Sequence, residues 1–374
     1  MIGPLPFSLF VNPRAGTPGI VVLPSAGFRR AKAAITSWPE YAPTPLRDLP
    51  EIARGAGVAA VRLKDEAGRF GLGSFKALGG AYAVAELLRG RREPQSVTVT
   101  CATDGNHGRA VAWGARRCGC HCVVFVHEAV SAGRAAAITE LGAELRSVPG
   151  TYDDAVREAD RVAQQEGWSV ISDTSWPGYL EVPRRVMQGY RLMADEALDQ
   201  WDGAAPSHVF VQAGVGGLAA AVAVQMRARL TPAPALIVAE PDRAACLLAS
   251  AELGALTSIP GTLDTVMAGL ACGEPSLLAW QELDRSAAAF MAVPDEAAAP
   301  AMRLLADAGI VTGESGVAGL AALLLASADP ATRAALGLGA ESRVLLFGTE
   351  GATDPAVYER LVGRSADAVA RKSG

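Results

Sequence analysis

Arg69-Phe-Gly-Leu-Gly-Ser-Phe-Lys76-Ala-Leu-Gly-Gly-Ala-Tyr82 sets a lysine between a glycine-rich turn and an apolar helical run, Ala77 to Leu88. The chain has four lysines against thirty arginines. Lys32, Lys64 and Lys372 lie in polar or terminal surroundings and read as solvated surface. Lys76 has no such surroundings. An amine partly withdrawn from water has a lowered pKa and becomes a nucleophile toward a carbonyl. The competing reading is a packed aliphatic stem whose ammonium reaches solvent. Taken alone, the segment favours the second reading, and two further segments reverse that preference.

The first of these is Cys101-Ala-Thr-Asp-Gly-Asn106-His-Gly-Arg-Ala-Val-Ala-Trp113. A strand ends at Cys101, a polar glycine-bearing loop follows, and a helix starts near His107 or Gly108. Loop amides and a helix N-terminus then face an anion such as a carboxylate, and Thr103 and Asn106 add side-chain hydrogen bonds. A plain capping loop with Asp104 or Asn106 as N-cap is the simpler alternative. The second is Val209-Phe-Val-Gln-Ala-Gly214-Val-Gly-Gly-Leu-Ala-Ala-Ala-Val222. Bare amides at Gly214, Gly216 and Gly217 can approach a phosphate at a helix N-terminus. The same string also fits a dinucleotide fingerprint with Glu240 as ribose acceptor, which makes an NAD-dependent oxidoreductase the rival. That rival leaves Lys76 and the 104–107 loop without a role.

Around these segments, short β-branched runs alternate with helical ones, the pattern of an α/β fold with largely parallel sheets flanked by helices. The strands expected are Ala59–Leu63, Ser96–Cys101, His121–Phe125, Glu144–Ser147, Ser169–Ile171, His208–Gln212, Ala235–Ala239 and Arg343–Phe347. Amphipathic runs cover Arg109–Arg117, Tyr152–Glu166 and Arg184–Leu198, and Gly142 after Leu141 marks a helix-to-strand turn. Segments 1–55 and 254–275, rich in proline and glycine, resist assignment. Boundaries near 80–92 and 173–183 divide the chain into a large lobe, 1–80 plus 184–374, and a smaller α/β lobe, 81–183.

A length of 374 residues with 50% apolar content supports a large buried core. The net charge of −5, without a basic stripe, argues against nucleic acid. Apolar runs such as 218–224 are too short to span a bilayer, and the N-terminus lacks signal-peptide features, so the expectation is a cytoplasmic protein. Six cysteines fit no secreted disulfide framework. Cys118, Cys120 and Cys122 precede Val123-Val-Phe-Val126 and read as part of a buried strand rather than a metal site. Cys246 and Cys272 flank a loop-rich stretch; whether they approach each other is open.

Together the three segments resemble the fold-type II pyridoxal-phosphate enzymes, the two-lobed family of threonine dehydratase, cysteine synthase and the tryptophan synthase β chain. The resemblance spans roughly residues 55 to 355. It implies that Lys76 forms the Schiff base with pyridoxal 5'-phosphate, that Asn106 bonds the ring hydroxyl, and that the amides of Gly214, Val215, Gly216 and Gly217 hold the phosphate. It places Thr349, in Leu346-Phe-Gly-Thr-Glu-Gly-Ala-Thr-Asp354, against the ring nitrogen. A narrower resemblance, to the diaminopropionate ammonia-lyases, rests on Phe75–Tyr82, Thr103–Gly108, Asp173-Thr-Ser-Trp176, Met267-Ala-Gly-Leu-Ala-Cys-Gly-Glu-Pro275 and Gly313-Glu-Ser-Gly316. The turn Gly-Leu-Gly-Ser before Lys76 departs from the Asn-Ala type pair of that family.

Asp104 stands where hydroxy-amino-acid dehydratases carry serine. Two charges about 4 Å apart at an effective dielectric near 20 interact by about 4 kcal/mol, so a carboxylate here repels ordinary substrates and attracts one with an extra ammonium on Cβ. Asp173 is a candidate second carboxylate, with a turn or cap as its plain reading. Trp176 and Tyr179 either line the pocket or pack between lobes. The substrate contacts expected are Thr103, Asp104, His107 and Asp173, with no metal. The reaction implied is elimination from 2,3-diaminopropionate to pyruvate and two ammonia. Lys76 would take the Cα proton of the L isomer, Asp104 would serve a D isomer, and Asp104 or Asp173 would handle the proton of the leaving amine. Alternatives are β-elimination or β-replacement on another amino acid, as in serine/threonine dehydratases or cysteine synthase, the NAD oxidoreductase, and a non-catalytic small-molecule sensor. The resemblance favours a homodimer.

Overall fold

The structure is a computed structural model and describes residues 5–103, 105–128 and 130–371; Asp104 and Lys372 lie outside the described residues. Among the described residues eleven strands form two sheets. They are β1 (Ser8–Val11), β2 (Leu46–Asp48), β3 (Ala60–Asp65), β4 (Thr98–Ala102), β5 (His121–His127), β6 (Glu144–Val148), β7 (Ser169–Val170), β8 (His208–Gln212), β9 (Ala235–Pro241), β10 (Ala289–Val293) and β11 (Arg343–Gly348). The larger sheet runs β1-β10-β9-β8-β11-β3-β2, and the smaller runs β6-β5-β4-β7. Every pairing in the smaller sheet is parallel. In the larger, only the two edge strands, β1 and β2, run antiparallel to their neighbours.

All eight expected strands are present within one or two residues at each end, and Tyr152–Glu166 is a helix over the expected span. Gly142 has φ +89°, the left-handed turn its position called for. Three strands went unread. β1 and β2 are short edge strands with no clean alternation, and Ala289-Phe-Met-Ala-Val carries little β-branched signal although β10 is wholly buried. In the central strands alternate residues enter opposite cores. Val209 and Val211 pack on one face with Leu345 and Phe347, while Phe210 packs on the other with Val344 and Leu346. That double burial is what turns these strands into continuous apolar runs.

The helix Ala77–Leu88, which Lys76 precedes, is wedged between the helices Asn106–Cys118 and Glu181–Asp199. Small residues permit the wedge. A Cβ on Gly189 would lie 1.8 Å from the Leu78 carbonyl oxygen, and one on Gly114 would lie 2.7 Å from Ala81 Cα. Leu78 and Tyr82 on this helix join Val99 and Val124 of the smaller sheet to Val209 and Val211 of the larger in one core.

Lys64 corrects its reading as solvated surface. Its side chain is fully buried, donating to the Thr44 carbonyl (2.5 Å) and Gln200 Oε1 (2.9 Å) and pairing with Glu196 (2.8 Å). Arg69, also buried, bridges Glu66 and Glu196. A buried charge survives only when fully paired. Glu196 is 132 residues from Lys64 in the chain, so no local pattern announces the pair. The network anchors the turn that leads to Lys76.

Candidate active site

Parallel sheets gather loops at the carboxyl ends of their strands, and there the segments read from sequence meet. The ends of β3, β4, β7, β8 and β11 lead into the Lys76 turn, the 103–105 loop, Asp173, the 213–216 turn and Thr349. The lining of the resulting pocket includes Lys76, Thr103, Asn106, His107, Asp173, Gly214, Val215, Gly216, Gly217 and Thr349. Every described residue expected at the site therefore lines a single cleft.

The Lys76 turn is stitched to the end of β11. Phe75 N donates to the Thr349 carbonyl (3.1 Å), and Gly351 N donates to that of Gly73 (2.9 Å). Gly73 has φ +75°, a conformation that favours glycine. Lys76 Nζ is half-buried beside the rings of Phe75 and Tyr190 and donates to Asp173 Oδ2 at 2.5 Å. Burial by itself pulls the Lys76 amine down, but the Asp173 carboxylate, joined by Tyr190 and Cys272, outweighs it and holds the amine well above the ordinary lysine range. The lowered pKa expected for this lysine is thus reversed. Burial likewise pushes Asp173 up, and His107 and Lys76 together pull it well below the carboxylate range.

In the 103–107 loop the helix begins at Asn106, and neither Asn106 nor any other side chain caps it from the N-cap position. Thr103 Oγ1 accepts instead from Gly105 N (2.9 Å) and Gly108 N (3.0 Å), which closes the loop and leaves the hydroxyl proton available. His107 is buried, with Nε2 2.7 Å from the Ile171 carbonyl oxygen and Nδ1 3.7 Å from Asp173 Oδ2. A carbonyl only accepts, so Nε2 carries a proton. Burial keeps the imidazole pKa low against the pull of Asp173. Asn106 Nδ2 donates to Glu350 Oε2.

The 213–216 turn opens the helix Gly217–Arg229, which has no side-chain cap, so its leading amides are free for an anion. Gly216 has φ +95°, and a Cβ there would lie 3.0 Å from both Ala279 Cβ and Leu247 Cδ1. Gly214 is hemmed in by Cys272, whose Sγ would be 3.0 Å from an added Cβ. Cys246 Sγ approaches the Gly214 carbonyl at 3.7 Å, and no disulfide joins Cys246 to Cys272. Across the pocket, Thr349 Oγ1 accepts from Gln212 Nε2 at 2.6 Å, and the amide also donates to the Phe347 carbonyl at 2.8 Å. Glu240 is not available to a ribose. It is fully buried, with its two oxygens accepting from Leu247 N and Leu248 N at 2.8 Å each. The rival dinucleotide reading loses its acceptor there.

The remaining diagnostic strings are bonded to one another around the site. Ser175, two residues after Asp173, shares a 2.7 Å hydrogen bond with Ser276 Oγ, the residue that follows the 267–275 string. Ser315 Oγ accepts from Gly269 N (2.9 Å) in that same string. Tyr179 does not line the pocket. Its hydroxyl donates to the Val170 carbonyl and accepts from Ser172 N, bracing the approach to Asp173, while its ring stacks on Trp176 at 4.4 Å. Sequence reading missed Glu350, Gln212, Tyr190 and Arg134 in the lining. Only Glu350, adjacent to Thr349, carried a usable local signal.

The model of the pyridoxal-phosphate dependent enzyme family matches residues 38–349. The chain is 39% identical over 356 aligned residues to diaminopropionate ammonia-lyase of Escherichia coli (strain K12), covering 88% of this chain and 89% of that one. Its structure superposes on holo diaminopropionate ammonia lyase from Escherichia coli with a TM-score of 0.89 at 35% identity, over 97% of this chain and 98% of that one. The complex of that enzyme with an aminoacrylate-PLP azomethine reaction intermediate gives 0.88 at 36% identity, over 96% and 97%. The site fits pyridoxal phosphate. A lysine amine stands inside the cleft, an uncapped helix N-terminus with a cradle that side chains would fill can take a phosphate, and Thr349 keeps a hydroxyl proton to offer a ring nitrogen. The chain belongs to the pyridoxal-phosphate-dependent enzymes.

Proposed function

We propose that this enzyme eliminates the β-amine of 2,3-diaminopropionate and yields pyruvate and two ammonia. The observation that carries the reading is the Asp173 carboxylate, fixed 2.5 Å from Lys76 Nζ in the cleft beside the 103–107 loop. A carboxylate that pairs with the lysine ammonium is placed to pair with a substrate β-ammonium once Lys76 is engaged elsewhere. Asp104 in the adjoining loop adds a second negative charge by sequence, and repels substrates that lack the extra amine.

Lys76 would hold the cofactor, the amides of Gly214, Val215, Gly216 and Gly217 its phosphate, Asn106 its ring hydroxyl, and Thr349, steadied by Gln212, its ring nitrogen. Bound there, pyridoxal phosphate supplies an aldehyde that links to amines and a ring that draws off the electron pair of a broken Cα–H bond. Lys76 Nζ takes the Cα proton of the L isomer, and Asp104 serves the D isomer. Thr103 and His107 orient the substrate carboxylate. Asp173 and Asp104 keep the β-amine protonated, so that the Cβ–N bond breaks with its electron pair leaving on ammonia. Released 2-aminoacrylate hydrolyses to pyruvate and the second ammonia.

The large lobe comprises 1–80 and 184–374 and the smaller 81–183, with the site between their sheets. We further propose a cytoplasmic homodimer. Among the described residues no helix is long and apolar enough to cross a membrane. The test is an absorbance spectrum of the holoenzyme before and after L-2,3-diaminopropionate, with pyruvate assayed in the same sample. A visible band that shifts while pyruvate accumulates is expected. A shift without pyruvate would replace the substrate with another amino acid and favour a dehydratase-like or cysteine synthase-like reaction. Lys76→Ala should remove the visible band, and its survival would overturn the cofactor assignment.

A further inference from the structure

The Gly313-Glu-Ser-Gly316 string has no part in the chemistry above, yet it is built around one buried side chain. Gly313 N donates to the Glu350 carbonyl (3.0 Å), and Ser315 N donates to Glu350 Oε1 (3.1 Å). Gly313 has to be glycine, since a Cβ would lie 2.6 Å from the Gly351 carbonyl oxygen and 2.9 Å from Glu350 Oε1. Glu350 itself is 3% exposed. Its other oxygen, Oε2, accepts from Asn106 Nδ2 across 244 residues of chain. The neighbouring Glu314 carboxyl is pushed up to about 7 by burial and by Glu350, against the pull of Arg134.

A carboxylate only accepts, so the Asn106 amide is oriented with its nitrogen toward Glu350. An amide nitrogen has two hydrogens. One is committed to Glu350, and the other remains for the cleft that Asn106 lines. Without Glu350 the amide could turn half a rotation and present Oδ1. We propose that Glu350 is a positioning residue. Through the half-buried Glu350–Asn106 hydrogen bond it makes Asn106 offer an N–H, and not a carbonyl oxygen, to the ring oxygen of the cofactor, and so keeps that ring oxygen ionised. This rests on the proposed contact of Asn106 with the ring hydroxyl.

The experiment uses the holoenzymes of wild type, Glu350→Gln, Asn106→Asp and the double variant. It reads the ratio of the visible band (ring oxygen ionised) to the near-ultraviolet band (ring oxygen protonated) at fixed pH, together with cofactor Kd and melting temperature. In Glu350→Gln the new carbonyl takes the Ser315 N–H, the new NH2 faces Asn106, and the Asn106 amide turns over. The band ratio should fall about tenfold or more, the scale of a hydrogen bond to a charged oxygen. Asn106→Asp sets two carboxylates together and should weaken cofactor binding by at least about tenfold. Adding Glu350→Gln to it restores a donor–acceptor pair of reversed polarity. The double variant should regain cofactor affinity and melting temperature while its band ratio stays low. An unchanged ratio in Glu350→Gln, a double variant that regains the ratio, or one that fails to recover affinity or to fold would overturn the proposal. A wild-type holoenzyme without a visible band would instead strike the proposed function.

Discussion

Replacing Asp173 by asparagine should speed cofactor capture while slowing turnover, two effects of opposite sign from one side chain. Only a neutral amine attacks a carbonyl. In the wild type, Lys76 is held protonated because the carboxylate 2.5 Å from Nζ outweighs burial. Charges about 4 Å apart at an effective dielectric near 20 attract by about 4 kcal/mol, and about 1.4 kcal/mol is a factor of ten in the neutral fraction. An attraction of that size is worth roughly a thousandfold. The Lys76 side chain is 22% exposed, and solvent relaxation lowers the gain to about tenfold to a hundredfold. In Asp173→Asn the main counterweight to burial is gone and the amine falls. The lysine pKa is raised in the wild type, so the capture rate should keep climbing with pH through the neutral and mildly alkaline range. In the variant it should level off at lower pH. The assay mixes pyridoxal phosphate with cofactor-free protein and follows the visible band over time across a pH series. Turnover of diaminopropionate should fall in the same variant, because the β-ammonium loses its partner. Capture that is unchanged, or slower with the same pH slope, would refute the ion pair as the brake on Lys76.

Three further outcomes can be checked directly. Gly216→Ala forces a side chain into φ +95° and against Ala279 and Leu247; it should cost about 1–3 kcal/mol in thermal unfolding and weaken cofactor binding, and unchanged affinity in a fluorescence titration would remove this turn from the phosphate site. Asp104→Ser should lower kcat/KM for diaminopropionate more than for serine, and equal losses would discard the charge argument for substrate choice. Glu240 has its carboxyl pushed up to about 8 by burial, so the folded state binds an extra proton between the ordinary carboxylate range and about pH 8, and stability falls as pH rises through that window. In Glu240→Gln that decline is absent, so the melting temperature of the variant relative to wild type should rise from pH 5 to pH 9; a constant difference would contradict a carboxyl held neutral there.

How much was legible follows from the range of each interaction. Lys76 after its glycine turn, the Thr103–Gly108 loop and the Gly214–Gly217 turn are each contiguous strings whose chemistry is local. Their residue types prescribe a turn, a free helix N-terminus and a nucleophile without reference to the rest of the chain. Strands β5, β8, β9 and β11 are legible because double burial leaves continuous apolar runs. Edge strands β1 and β2 are half-exposed and carry no such pattern.

The sequence by itself determined the α/β architecture and which segments carry the site, because backbone conformation and hydrophobic periodicity are properties of neighbouring residues. Tertiary structure alone decided the protonation of Lys76, since its partner Asp173 lies 97 residues away. It also decided that Glu240 is a helix anchor, that Lys64 is a buried ion and that Glu350 grips Asn106. Each of these depends on which charge or amide stands within about 3 Å in a medium of low dielectric, where one partner can reverse the effect of burial. That distance is set by how two sheets pack around the helix Ala77–Leu88, and no local pattern encodes it.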